Sequence, residues 1–145
     1  MASLEVLNSQ FSQIPFTDPV YTYRSKITAA GCIILSPNRE QVILVFDKRS
    51  ERWSFPKGSI ELGETEFEAA IRETYEEAGI QLTPDLLDDR ITIRKYALYL
   101  VTLPINIEPH PIDKNEISQA CWIKVSDIQK FELPIIGMIK KFFKL

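Results

Sequence analysis

The sequence predicts an α/β domain in which one mixed β-sheet carries a helix on each side. Three observations lead there. Apolar, β-branched runs that read as strands recur at 27–35, 42–46, 91–103 and 120–125. Two segments, starting at Thr65 and at Pro134, instead place apolar residues at helical spacing. Strands and helices alternate irregularly, which argues against a doubly wound parallel sheet.

The elements follow in order. Residues 1–25 read as an irregular arm, broken by Pro15 and Pro19, with Phe11, Phe16, Tyr21 and Tyr23 available to pack. Residues 26–145 form a single domain. Ile27 to Leu35 is a buried strand, SPNRE a turn, and Val42–Phe46 the returning hairpin partner. Ser54–Phe55 is a short extended piece, and Gly58 to Gly63 a glycine-containing loop. Thr65-x-x-Glu68 is a capping box that starts a helix, Phe67, Ala70, Ile71, Thr74 and Ala78 are its buried stripe, and Gly79 ends it. Ile91–Leu103 is one long strand and Ala120–Val125 another; Ser126-x-x-Gln129 is a second capping box. Pro134 is placed as the first residue of a last helix, with Ile135, Ile136, Met138, Ile139, Phe142 and Phe143 as its apolar face.

Composition narrows the function classes. The chain has 145 residues, 45% hydrophobic and 26% charged, ordinary for one globular domain. Seventeen basic and twenty acidic residues give a net charge of −3, so a polyanionic ligand needs a local basic patch or a metal. Cys32 and Cys121 lie in apolar runs and read as buried thiols of a reducing compartment. With one histidine, His110, no Cys/His set has zinc spacing. No apolar run approaches a membrane span, and the N-terminus lacks the pattern of a secretory signal. The expectation is a cytoplasmic protein, with a nuclear location also open, and no membrane partner.

Glu73, Glu76 and Glu77 stand at i, i+3 and i+4 and project from one side of the predicted helix, opposite the Phe67/Ile71/Ala78 stripe. They sit towards its negative end, where electrostatics disfavours them unless a cation arrives. Carboxylate oxygens suit Mg²⁺ or Mn²⁺. For an isolated ExxEE, a solvated acidic face is the better reading.

The surroundings change that weighing. From Gly58 to Ile80 the chain reads GSIELGETEFEAAIRETYEEAGI, which resembles the signature G-x5-E-x7-R-E-U-x-E-E-x-G-U of the Nudix hydrolase superfamily. Gly58, Glu64, Arg72, Glu73, Glu76, Glu77, Gly79 and Ile80 match; Thr74 stands where an aliphatic residue is usual. Seven fixed residues would coincide by chance at ~10⁻⁸ per window at roughly 7% usage each.

The resemblance implies an α/β/α sandwich with a mixed sheet, and a divalent-metal-dependent hydrolase of phosphoanhydride bonds. It implies Glu73, Glu76 and Glu77 as metal ligands, with a main-chain carbonyl of Lys57 or Gly58 completing the shell. Glu76 is either a ligand or the activator of the attacking water, Arg72 orients the glutamates, and Glu64 supports the loop or an outer metal. Glu116, ahead of a strand, is the further base or ligand candidate, weighed evenly against a surface acid.

Basic residues crowd the approach to this segment. Lys48, Arg49, Arg52 and Lys57 precede the glycine loop, Arg24 and Lys26 precede the first strand, and Arg90, Arg94 and Lys95 surround the start of the long one. If several converge they form an anion cradle; singly, each is a solvated cation. Trp53 and Tyr99 are candidates to stack a base, while Tyr96, Trp122 and Phe131 read as structural and His110 as a loop residue. Phe55-Pro56-Lys57-Gly58 and the following SIELGE resemble the branches that cut dinucleoside polyphosphates or diphosphoinositol polyphosphates. FPKG and NEIS also resemble the mRNA-decapping branch, although no separate N-terminal regulatory domain or long basic extension is seen. The expected partner is a small-molecule phosphoanhydride, with an RNA cap or a nucleoside triphosphate as the alternative, and the assembly a monomer or homodimer. A nucleotide sensor without hydrolysis is the reading from another class.

Overall fold

The computed structural model describes residues 18–145; Phe11 and Phe16 of the expected arm lie outside the described residues. Seven strands form one sheet: β1 (Ala29–Leu35), β2 (Gln41–Asp47), β3 (Arg52–Ser54), β4 (Lys57–Ser59), β5 (Arg90–Ile93), β6 (Tyr96–Thr102) and β7 (Ile117–Lys124). Among the described residues three α-helices accompany it, α1 (Glu66–Ala78), α2 (Val125–Lys130) and α3 (Gly137–Phe143), with one 3₁₀ turn at Pro84–Leu86.

The sheet is mixed. β1 runs parallel to β6 along its whole length, from Ala29 opposite Tyr96 to Leu35 opposite Thr102, and the other pairings are antiparallel. β1 meets β2 at Leu35 and Val42; further back its edge is taken by β4, with Gly31 opposite Lys57 and Ala29 opposite Ser59. β2 meanwhile turns away to pair with β3 and β7. The sheet therefore forks, and the gap between the β1/β4 arm and the β2/β3/β7 arm opens towards α1. Gly31 makes the β4 crossing possible. An added Cβ there would overlap the Pro56 carbonyl and lie 2.6 Å from Lys57 Cβ.

Strand alternation sorts side chains into two layers. Ala30, Cys32, Ile34, Ile43, Val45 and Tyr99 pack beneath α1 with Ala69, Ala70 and Ala78. Ile33, Leu35, Val42, Leu44 and Leu98 pack on the other face with Ile128 of α2 and Met138 and Ile139 of α3. Phe55 is fully buried there against Phe142 and Phe143, ring centroids 6.1 and 6.4 Å away. Each fully buried aliphatic or aromatic side chain contributes about 1.5–3 kcal/mol, so both faces of β1 anchor the fold.

Several expectations are corrected. The long strand Ile91–Leu103 is a hairpin, β5–β6, whose turn puts Arg94 at φ 55. Neither Gly nor Asn marks that turn, so its signal was hidden. Gly58 to Gly63 begins inside a strand, β4, which exists only because β1 offers it an edge. Ser126 and Gln129 make no capping box: α2 starts after Lys124, without a side-chain cap. Pro134 does not begin the last helix. Its carbonyl accepts from Trp53 N–H (2.7 Å), Ile135 bridges to Trp53, and α3 starts at Gly137.

Candidate functional site

α1 is held at both ends by bonds that its sequence specifies. Thr65 Oγ1 accepts from Glu68 N–H (3.1 Å) while the Glu68 carboxylate accepts from Thr65 N–H (2.9 Å), the reciprocal capping box that was expected. The chain before β1 adds to it: Pro19 O accepts from Glu66 N–H and the Asp18 carboxylate from Phe67 N–H, both at 3.0 Å. Gly79 takes φ 69 and closes the C-terminus. The loop before β7 then docks on the exposed carbonyls. His110 N–H donates to Ala78 O, and Ile112 and Asp113 N–H donate to Glu76 O at 3.0 and 2.8 Å. The catalytic-looking helix and the loop carrying Glu116 are thus tied together.

The fork in the sheet is a cleft of about 560 Å³. Glu73, Glu76 and Glu77 line it from α1, Asp113 and Glu116 from the loop before β7, and Lys57 and Gly58 from β4. Glu77 is 7% exposed and its Oε1 accepts from Lys57 N–H at 3.1 Å. It therefore lies on the margin of the buried stripe rather than opposite it. Ala69 and Glu66 also belong to that stripe, while Phe67 and Ile71 are half-buried.

Arg72 is the hub of the acidic cluster. Its guanidinium donates to Glu64 through Nε (2.8 Å) and Nη2 (2.9 Å), to Glu76 through Nη1 (3.0 Å), and to Ser59 O (2.9 Å). Glu73 lies 3.5 Å from Nη1. For Glu64, burial works against ionisation, but the bonds from Arg72 and from Glu61 N–H outweigh it and hold its carboxyl below the usual range. Glu73 and Glu77 go the other way. Burial, reinforced by the neighbouring carboxylates, pushes them up to about 7 and about 8. Gly58 matters for the same group: a Cβ there would overlap the Glu73 carboxylate.

These observations test whether a cation fits. Every acidic donor in the cleft is a hard oxygen, which suits Mg²⁺ or Mn²⁺, and two of the carboxyls are buried where their charge is unstable without a counterion. Among the described residues no three such side chains already converge as a closed metal shell, because Arg72 lies against Glu73 and Glu76 while Lys57 N–H holds Glu77. The residue types therefore fit the cation.

The basic residues divide. Arg49 and Lys57 line the cleft, as does Lys95. Arg49 is 3.4 Å from Glu116, with 82% of its side chain exposed. Arg24, Lys26 and Arg52 are exposed and not among the lining residues. Lys48 lines a separate hollow beside His110, and its ammonium donates to Lys114 O. Arg90 is drawn to Glu66 (2.8 Å), which is 4% exposed. Neither proposed stacking residue faces the cleft. Tyr99 is 1% exposed with its hydroxyl 3.4 Å from Glu66, and Trp53 packs edge-on against Phe46 in the α2/α3 layer. Tyr96, expected to be structural, packs against the α2/α3 layer and also lines the cleft.

Residues 25–142 match the NUDIX domain family. The chain is 28% identical over 148 residues to mRNA decapping complex subunit 2 of Schizosaccharomyces pombe, covering 88% of this chain and 20% of that protein. It is 31% identical over 132 residues to the m7GpppN-mRNA hydrolase dcap-2 of Caenorhabditis elegans, covering 83% of this chain and 17% of that protein. It thus spans a fifth or less of the length of these relatives. A C. elegans Ap4A hydrolase structure superimposes with a TM-score of 0.57 at 24% identity, covering 81% of this chain and 95% of that one.

Proposed function

Because the chain belongs to the Nudix family, we propose that it is a divalent-metal-dependent pyrophosphohydrolase that cleaves a phosphoanhydride bond. The observation that carries the reading is the cleft itself: Glu73, Glu76 and Glu77 from one helix, and Glu116 from a loop tied to that helix, face cationic residues across one gap.

In this reading Glu73, Glu76 and Glu77 hold the cation, together with a main-chain carbonyl of Lys57 or Gly58. A divalent cation supplies charge neutralisation on the phosphate oxygens and lowers the pKa of an attacking water. Glu76 or Glu116 receives the proton that the water gives up. Arg72 keeps like charges spaced and oriented by bridging Glu64 to Glu76. Arg49 and Lys57 contact phosphate oxygens, and Glu116 restrains Arg49 until substrate displaces it.

The substrate class we propose is a 5′–5′ linked dinucleoside polyphosphate, with the m7GpppN cap as the favoured member. The resemblance of FPKG and SIELGE alone favours dinucleoside or diphosphoinositol polyphosphates. Similarity to decapping proteins over most of this chain moves the weight to the cap, which is itself a dinucleoside triphosphate. The test is a panel with Mg²⁺ and product identification: m7GpppG, capped RNA, diadenosine tetraphosphate, a diphosphoinositol phosphate, a nucleoside triphosphate and a nucleotide sugar. Highest kcat/KM on the cap compounds, with release of m7GDP, is expected. Preference for the inositol compound or the triphosphate would overturn the substrate class, and absence of turnover on all of them would leave the sensor reading.

A further inference from the structure

The cleft has a second end that the acidic site does not use. β1 supplies its floor. Ala29 lies opposite Tyr96 of β6, and Gly31 lies opposite Lys57 of β4. Residues opposed across a ladder share a face, and so do residues two apart on a strand. Tyr96 and Lys57 therefore rise on either side of β1, whose Ala29 lines the cleft between them. This is the face that β1 turns away from α1, shared with Ile33 and Leu35. Over that floor Lys57 Nζ comes within 4.9 Å of the Tyr96 ring centroid, and Lys95 Nζ within 5.7 Å. Lys95 belongs to the β5–β6 turn, and its carbonyl accepts from the N–H groups of Thr28 (2.9 Å) and Ala29 (3.2 Å), which pins the turn beside β1.

What holds these cations decides what they can do. Among the described residues neither ammonium is ion-paired to a carboxylate. An aromatic face orients a cation without pairing it with an anion, so both ammonium groups are left to meet a ligand. Arg72, by contrast, is spent on four glutamates. We propose that Lys57, Lys95 and Tyr96 form a phosphate clamp that grips the phosphates beyond the bond being cut, so that the cleft selects chains of three or more linked phosphates over a simple diphosphate. The proposal rests on the hydrolase reading for the role of the acidic end, and it adds the discrimination by phosphate number.

The test is calorimetric titration of the full chain, in a Glu76→Gln background and with Mg²⁺, using inorganic tripolyphosphate and pyrophosphate as probes. Lys95→Met and Tyr96→Leu are each expected to weaken tripolyphosphate by about fivefold to tenfold, the loss of about one charge-assisted contact, and pyrophosphate by less than about twofold. Tyr96→Phe keeps the ring and is expected to bind both probes like the parent. Equal weakening of both probes, or no change in either, would overturn the clamp; a Phe variant as weak as the Leu variant would remove the ring from it. Should Tyr96→Leu fail to fold, Lys95→Met, on an exposed turn, decides alone. The hydrolase reading fails separately, through a wild-type chain without turnover, and the titration remains readable in that case.

Discussion

Replacing Gly58 by alanine isolates the geometry of the acidic site from the stability of the fold. The added Cβ would come 2.5 Å from Glu73 Oε1 and overlap Oε2 outright. Real Cβ contacts below 3.0 Å essentially do not occur, so the carboxylate must withdraw by at least about half an ångström at one oxygen and by more at the other. What gives way is the end of a flexible side chain, and Gly58 has no positive φ to lose. The fold is therefore expected to survive with little loss of melting temperature. Chemistry is less tolerant, since a misplacement of about 1 Å costs on the order of 10²-fold in rate. The assay pairs Mn²⁺ titration with kcat/KM on m7GpppG. A folded variant with weakened cation binding and about 10² lower kcat/KM is expected. Unchanged cation affinity and turnover in a folded Gly58→Ala would refute the assignment of Glu73 to the cation.

Three further outcomes follow from the same geometry. Glu76→Gln removes a partly exposed carboxylate and keeps its shape, so circular dichroism and melting stay close to wild type while kcat falls by about 10²–10⁴; wild-type turnover would contradict its role. Thr74 is fully buried and, among the described residues, its hydroxyl meets no oxygen or nitrogen partner; the Cys32 thiol is a weak hydrogen-bonding neighbour. Thr74→Val is therefore expected to stabilise by about 1 kcal/mol, raising the melting temperature by about 2–4 °C, with activity unchanged; a lower melting temperature would show that the hydroxyl is satisfied. The carboxyls of Glu73 and Glu77, raised to about 7 and about 8 by burial, bind protons more tightly in the folded chain than in the unfolded one. Their contribution to stability is thus full below the ordinary carboxylate value of 4.5 and is lost as pH rises through about 7 to 8. A cation that binds only the folded state offsets the loss, so the gain in melting temperature on adding Mg²⁺ should grow from pH 5 to pH 8; a gain independent of pH would count against these two ligands.

The parts of the site confined to one stretch of chain were legible in the sequence. The capping box at Thr65 and the left-handed Gly79 depend on residues close in number, and their spacing carries the geometry. The Nudix signature also marked Glu73, Glu76 and Glu77, although helical periodicity alone misjudged Glu77, whose burial comes from packing at the fork of the sheet. What failed was set by contacts between distant segments. β4 is a strand only because β1 presents an edge to it. The split of 91–103 into a hairpin rests on Arg94 adopting a left-handed turn without glycine or asparagine to announce it. That turn also brings Lys95 and Tyr96 to the cleft. Placement of the cations depended on where loops lie, and only Arg49, Lys57 and Lys95 of those considered reach the lining. Tyr99 and Trp53 are aromatic like Tyr96; which ring lines the cleft is decided by strand register.

The central claim is that the glutamate cluster drives hydrolysis of a phosphoanhydride, and one measurement addresses it directly. Wild-type protein is incubated with m7GpppG and Mg²⁺ in ¹⁸O-labelled water, with Glu76→Gln and a chelated sample alongside, and the products are weighed by mass spectrometry. The account predicts one ¹⁸O atom in one phosphate product per cleavage, formed by the wild type alone and abolished by chelation. Cleavage that persists at the wild-type rate in Glu76→Gln or with the cation removed would contradict it.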